Sequence, residues 1–143
     1  MKNHKELIIL IAEDDDGHAE LIKEGLVNSG VSNKTIRFSN GLEAWEFLSG
    51  TAKSQNRDIK VAYLLLLDIN MPKMNGIELL KKIKSNDELK EVMIIMLTTT
   101  DDPREIDVCY KFGCNMYVTK PVQFNKFAET LHRMGLFIQI VKV

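Results

Sequence analysis

The chain has 143 residues, a length typical of one domain, and 45% of them are hydrophobic while 27% are charged. Its net charge of -1, without a stripe of lysine and arginine, argues against binding to nucleic acid or to an anionic membrane. No apolar stretch is long enough to span a bilayer, and residues 1–6 lack the apolar core of a signal peptide, so we expect a cytoplasmic protein.

Five short apolar runs predict buried β-strands, and a helical pattern follows each of them. The runs are residues 7–12, 35–38, 61–67, 92–97 and 116–119. Asp15 or Asp16 is placed to cap the first helix, and Pro103 suits the first position of the fourth. The last helix is predicted to turn Phe124, Phe127, Ala128, Leu131 and Met134 inward and to end before Gly135.

The strict alternation of strands and helices predicts a parallel sheet covered by helices on both faces. Five strands are too few for the six-stranded dinucleotide fold. We therefore expect a flavodoxin-like (βα)5 domain with a five-stranded, doubly wound sheet of order 2-1-3-4-5. It comprises residues 1–143 as a single domain, with a short N-terminal arm at 1–6 and an apolar C-terminal tail at 135–143.

In that strand order, the carboxyl ends of four neighbouring strands carry Glu13 and Asp14, Asp68, Thr98, and Lys120. Ligands of open parallel sheets bind at this edge. Three carboxylates at short range repel one another, and Mg²⁺, which prefers oxygen ligands, would resolve the conflict. A lysine and a threonine beside such an ion suit a phosphoryl group, and an aspartate can itself be the nucleophile that forms an aspartyl-phosphate.

As a set, these residues resemble the response regulator receiver domains of two-component signalling, over essentially the whole chain. The family's D-x-x-M-P-x-x-x-G motif matches Asp68, Met71, Pro72 and Gly76. The resemblance implies that Asp68 accepts a phosphoryl group, and that the domain promotes this transfer and its own dephosphorylation but is not otherwise an enzyme.

The resemblance also implies roles for the residues around Asp68. Glu13 and Asp14 match the family's acidic pair, and Thr98 matches its conserved hydroxyl residue. Asp14, Asp68 and the backbone carbonyl of Asn70 would hold Mg²⁺, with Glu13 binding it directly or through water.

Two further features of the family match residues near the end of the chain. Tyr117 matches the switch aromatic, which would act with Thr98. Lys120 and Pro121 match a Lys–Pro pair whose peptide bond is cis in the family.

A narrower resemblance is to stand-alone receivers similar to the cyanobacterial phytochrome response regulator. It implies a sensor histidine kinase and a downstream protein target as partners, with a phytochrome-like sensor as one candidate for the kinase. Members of that group are often homodimers, and we expect a homodimer through helix 4, strand 5 and helix 5. The apolar tail from Leu136 is either docked on the domain or part of a partner surface.

Two other classes of function share parts of this pattern. A flavin-binding electron carrier would need a phosphate-binding loop after the first strand, where residues 13–16 are all acidic. An aspartate-dependent phosphohydrolase would carry its nucleophile after the first strand rather than the third. Cys109 and Cys114 are interpreted as small buried hydrophobes, and His18 as a surface residue rather than a phosphoacceptor.

Overall fold

Ten elements alternate along residues 6–141, the part of the chain that the computed structural model describes. The strands are β1 (Leu7–Ala12), β2 (Thr35–Phe38), β3 (Ala62–Leu67), β4 (Met93–Thr98) and β5 (Met116–Thr119). The helices are α1 (Asp16–Asn28), α2 (Gly41–Ser49), α3 (Gly76–Lys84), α4 (Pro103–Lys111) and α5 (Phe124–Gln139). The predicted arm at 1–6, except Glu6, lies outside the described residues, as do residues 142–143 of the predicted tail.

The five strands form one parallel sheet in the order β2-β1-β3-β4-β5, which confirms the predicted topology. The register aligns the strand ends: Ala12 of β1 lies opposite Leu67 of β3, and Thr98 of β4 lies opposite Thr119 of β5. Because each polar residue follows its strand at nearly the same level, the register brings them together at one edge of the sheet.

Alternating side chains of each strand pack on opposite faces of the sheet, as a doubly wound fold requires. In β1, Ile8 and Leu10 contact the layer that contains α2 and α3, whereas Ile9 and Ile11 contact the layer of α1 and α5. Both layers are apolar and buried, so the sheet is packed on both faces beneath the edge that carries the polar residues. None of the helices within residues 6–141 is long and apolar enough to cross a bilayer.

Side-chain caps explain where the helices begin. The side chain of Asp15 accepts a hydrogen bond from the backbone of His18, which makes Asp15 the cap of α1. Asn75 and Glu78 form a capping box at the start of α3. Asp102 caps α4, where Pro103 takes the first helical position as predicted.

The end of α5 differs from the prediction. The helix continues through Gly135 to Gln139, and Ile138 is buried, so residues 135–139 are its last turn rather than a separate tail. Gly135 lies against the end of α1, where an added Cβ would be 1.9 Å from Ser29 Oγ. The glycine therefore serves close helix packing, which sequence alone could not distinguish from a helix stop.

The inward stripe of α5 is also displaced from the predicted one. Phe127, Leu131 and Met134 are buried as expected, but Phe124 is 68% exposed and Ala128 is exposed too. Phe124 is the first residue of the helix, so the stripe begins one turn later and extends one turn further. Spacing identified the face of the helix, but the neighbouring elements decide how far along it burial extends.

Candidate functional site

Three carboxylates meet at the carboxyl ends of β1 and β3, as predicted. Glu13, Asp14 and Asp68 each offer an oxygen, and these atoms lie within 4.8 Å of one another. Glu13 and Asp68 are buried, whereas Asp14 is exposed. The donor set is all oxygen and open to solvent on one side, which fits a hard divalent cation that keeps some of its waters.

Lys120 supplies one positive charge to this cluster. Its buried Nζ donates to Glu13 Oε1 and, at 3.1 Å, to Asp68 Oδ2. Its backbone N–H donates to the Thr98 carbonyl at 2.7 Å, which ties the residue to the end of β4. Three carboxylates and one ammonium leave a formal excess of two negative charges. One divalent cation would neutralise this excess.

The pKa of Glu13 reflects both the burial of its carboxyl group and the crowding of the carboxylates. Burial raises the pKa of Glu13 above its ordinary value, and the nearby charge of Asp68 raises it further. The bond and the charge of Lys120 oppose this rise in pKa without cancelling it. A cation bound among the carboxylates would favour the ionised form of Glu13.

The predicted cis bond between Lys120 and Pro121 is wrong for this structure, since no peptide bond among residues 6–141 is cis. An X–Pro bond favours the trans form by about 0.5–1 kcal/mol unless its surroundings select cis. Lys120 reaches both Glu13 and Asp68 with a trans bond.

Thr98, the last residue of β4, carries a buried hydroxyl that has no partner within residues 6–141. Its Oγ1 makes no hydrogen bond to any of the described residues. Leaving a buried polar group unpaired costs about 1–3 kcal/mol, so such a group in a folded protein calls for an explanation. A ligand with oxygen atoms at this sheet edge would give the hydroxyl an acceptor.

The backbone of Asp68 is closely packed in the loop that follows β3. Gly76 opens α3 directly against this loop, and an added Cβ would lie 2.1 Å from the carbonyl oxygen of Asp68. The predicted turn is present, with Lys73 adopting a positive φ of 68°. Asn70 is exposed, and its backbone N–H lies 3.4 Å from Asp68 Oδ1; its carbonyl as a metal ligand stays a prediction.

Tyr117 in β5 is half-buried beside the site. Its hydroxyl donates to the Thr100 carbonyl at 2.6 Å, and its backbone N–H donates to the Tyr110 hydroxyl at 3.0 Å. Burial raises the pKa of Tyr117, so the hydroxyl stays protonated and able to donate. The ring is therefore tethered to the segment that follows Thr98.

Two residues that sequence reasoning missed also contact the site. Arg37 of β2 donates to the Glu13 carbonyl from Nε at 2.9 Å and Nη2 at 2.7 Å, and its Nη1 bonds Asp16. His18, interpreted from sequence as a surface residue, is only partly exposed, and its Nδ1 lies 3.2 Å from Lys120 Nζ. Arg37 thus holds the acidic loop after β1, and His18 contacts the lysine that bonds to Glu13 and Asp68.

Fold and site together are those of a receiver domain. A model of the response regulator receiver domain matches residues 9–132, and the chain belongs to this family. The resemblance inferred from the sequence motifs is therefore confirmed.

Individual relatives agree with this assignment. Chemotaxis protein CheY1 of Helicobacter pylori (strain ATCC 700392 / 26695) is 37% identical over 113 residues, which cover 79% of this chain and 84% of CheY1. The crystal structure of a response regulator receiver domain from Rhodospirillum rubrum has a TM-score of 0.87 and 40% identity, covering 95% of this chain and 96% of that one.

The narrower resemblance is also supported by a solved structure. The phosphorylated cyanobacterial phytochrome response regulator RcpA has a TM-score of 0.81 and 30% identity, with 96% of each chain covered. Receivers similar to the cyanobacterial phytochrome response regulator are thus among the structural relatives of this chain.

Proposed function

We propose that this receiver domain accepts a phosphoryl group from the phosphohistidine of a sensor histidine kinase onto Asp68. The observation that carries the proposal is the buried ammonium of Lys120 bonded to Asp68 and Glu13 at one sheet edge. Beside it lies the hydroxyl of Thr98, which has no partner in the described part of the chain. Each group has the charge or the donor that a phosphoryl oxygen requires.

The transfer exchanges one bond to phosphorus for another. A carboxylate oxygen of Asp68 attacks the phosphorus, the phosphorus–nitrogen bond to the kinase imidazole breaks, and the imidazole keeps the electron pair and takes up a proton. Lys120 and Thr98 then donate to oxygens of the transferred group, and Lys120 offsets their added negative charge.

Glu13, Asp14, Asp68 and the Asn70 carbonyl are the groups that would hold Mg²⁺. When bound, Mg²⁺ neutralises charge on the phosphoryl oxygens and orients them for in-line transfer. The oxygen-only donors and the excess negative charge of the cluster support this assignment.

Acetyl phosphate provides a direct test, because it can donate a phosphoryl group without a kinase. With Mg²⁺ present, intact mass spectrometry should show one added phosphoryl group on the protein, and Asp68→Asn should abolish it. Asp87→Asn is the matched control, because the Asp87 side chain is 98% exposed and remote in sequence from the site. Full labelling of the Asp68→Asn protein would contradict the assignment.

We further propose that the phosphorylated form acts in the cytoplasm through protein contact. Thr98, drawn toward the phosphoryl group, would free Tyr117 to change its position, and this would alter the surface of α4, β5 and α5.

The likeness to RcpA supports a phytochrome-like kinase as the donor. Phosphotransfer from a panel of purified histidine kinases tests this, since a kinase of another sensor type as the fastest donor would contradict it.

We also propose that this surface forms a homodimer. It bears partly exposed apolar side chains, with Met116, Val118 and Phe137 beside a groove between β5 and α5 of about 440 Å³. A two-fold dimer brings the same patch of both subunits together, and an apolar patch of this kind suits such an interface.

A further inference from the structure

We propose that His18 is a positioning residue of the phosphoryl-acceptor site, and that its neutral ring holds the ammonium of Lys120. This inference rests on the proposed function and adds to it a residue of α1. His18 does not touch the reacting atoms in this role. It acts through Lys120.

The donor and acceptor inventory of Lys120 carries the argument. An ammonium has three N–H donors and no acceptor. Among the described residues, three groups lie within hydrogen-bond distance of Lys120 Nζ: Glu13 Oε1, Asp68 Oδ2 at 3.1 Å and His18 Nδ1 at 3.2 Å. Because Nζ cannot accept, a hydrogen bond between the two groups requires His18 Nδ1 to be the acceptor, which places the proton of the neutral ring on Nε2.

Two elements hold the ring in this position. The backbone N–H of His18 donates to the side chain of Asp15 at 2.9 Å, which fixes the residue in the first turn of α1. The ring packs edge-on against the buried Phe127 of α5, with centroids 5.8 Å apart and planes at 64°. Packing therefore holds the acceptor atom, His18 Nδ1, in a defined position.

Phosphorylation would affect His18 differently from the other two acceptors, Glu13 and Asp68. Glu13 and Asp68 both belong to the carboxylate group that would hold the cation, and Asp68 would also carry the phosphoryl group. Their oxygens therefore acquire competing partners during the reaction. The imidazole of His18 acquires none, so it can keep the Lys120 ammonium in place while the ammonium exchanges the carboxylate of Asp68 for a phosphoryl oxygen.

The test uses an isosteric pair of substitutions in the full chain. His18→Asn keeps an acceptor, Oδ1, near the position of Nδ1, whereas His18→Leu has the shape of asparagine without the acceptor. With acetyl phosphate and saturating Mg²⁺, we expect the leucine variant to phosphorylate about tenfold more slowly and the asparagine variant to remain within about threefold of wild type. The affinity for Mg²⁺ should be unchanged in both variants.

The outcomes separate this inference from the proposed function. A leucine variant that matches wild type, or an asparagine variant as slow as the leucine one, overturns the role of His18 and leaves Asp68 as acceptor. A wild-type protein that takes no phosphoryl group overturns both.

A second measurement uses only the wild-type protein, so it does not depend on whether a variant folds. Nitrogen-15 NMR of the wild-type imidazoles at pH 8 should show His18 protonated at Nε2 and unprotonated at Nδ1. The opposite tautomer would overturn the proposal.

Discussion

Thr98 shows how one side chain can be placed at a cost to the fold. Its hydroxyl is buried at the end of β4 and has no partner among the described residues. Thr98 is fully buried at the end of a strand whose other residues are all apolar, so its hydroxyl is the polar group that does not match these surroundings. This conflict between local environment and residue type is typical of functional positions.

We expect Thr98→Val to separate stability from function. Valine keeps the shape of threonine but removes the unpaired hydroxyl, so the free energy of unfolding should rise by about 1 kcal/mol. Phosphorylation by acetyl phosphate should slow, because one donor to the phosphoryl oxygens is lost. Urea unfolding and intact mass measure the two effects, and a destabilised variant with normal phosphorylation would contradict this account of Thr98.

Asp14 is the exposed member of the carboxylate group and the one that no cation of the protein contacts in the described structure. We expect Asp14→Asn to reduce the rise in melting temperature that Mg²⁺ produces, because a ligand that binds the folded state more weakly stabilises it less. Without Mg²⁺, the variant should be at least as stable as wild type, since one repulsive charge is gone. Thermal unfolding with and without Mg²⁺ measures this, with Asp87→Asn as the control. An unchanged response to Mg²⁺ would exclude Asp14 as a ligand.

At the scale of the elements, the packing of α5 on α1 supports the phosphoryl-acceptor site. Small residues allow the two helices to approach closely: Gly135 meets Ser29, and Gly25 meets Leu131. Gln139 at the end of α5 donates to the Ser29 carbonyl, which secures the last turn. Because α1 carries His18 and α5 carries Phe127, this contact also sets the position of the His18 ring.

We expect Gly135→Ala to destabilise the protein although alanine favours helices. The new Cβ would overlap Ser29 Oγ, and overpacking of this kind costs about 1–3 kcal/mol. Leu136→Ala, on the exposed side of the same turn, should have a much smaller effect. Chemical denaturation compares them. An alanine variant at position 135 that matches or exceeds wild-type stability would show that the helices separate easily there.

At the scale of the whole molecule, the proposed dimer can be tested without shortening the chain. Truncation after Gly135 would remove the buried Ile138, so it would perturb the fold as well as any interface. Leu136 of α5 and Ile140, the residue directly after this helix, are 50% and 70% exposed and can be replaced by glutamate without entering the core.

We expect the Leu136→Glu/Ile140→Glu variant to be monomeric where the wild-type protein dimerises, because buried carboxylates across an interface are unfavourable. Val27→Glu is the control, since Val27 is 69% exposed on α1. Light scattering at tens of micromolar, with and without acetyl phosphate, measures the mass. A monomeric wild type in both states would exclude the dimer and leave the receiver assignment intact.

The amino-acid sequence by itself determined the order of elements and the polar residues at the strand ends. Both are local properties of the chain: an apolar run that stops at Asp68 marks a buried strand and its end, whatever packs around it. Parallel pairing then brings such ends together, so Glu13, Asp14, Asp68, Thr98 and Lys120 could be predicted as one site.

Only the tertiary structure decided which other residues support that site. Arg37 contacts Glu13 across 24 positions of sequence, and His18 contacts Lys120 across 102. An arginine in an edge strand and a histidine in a first helical turn carry no local signal of such partners. Gly135 likewise resembles a helix stop until α1 is seen against it. Periodicity reports which face of an element is buried, but the partners on that face depend on how distant elements pack together.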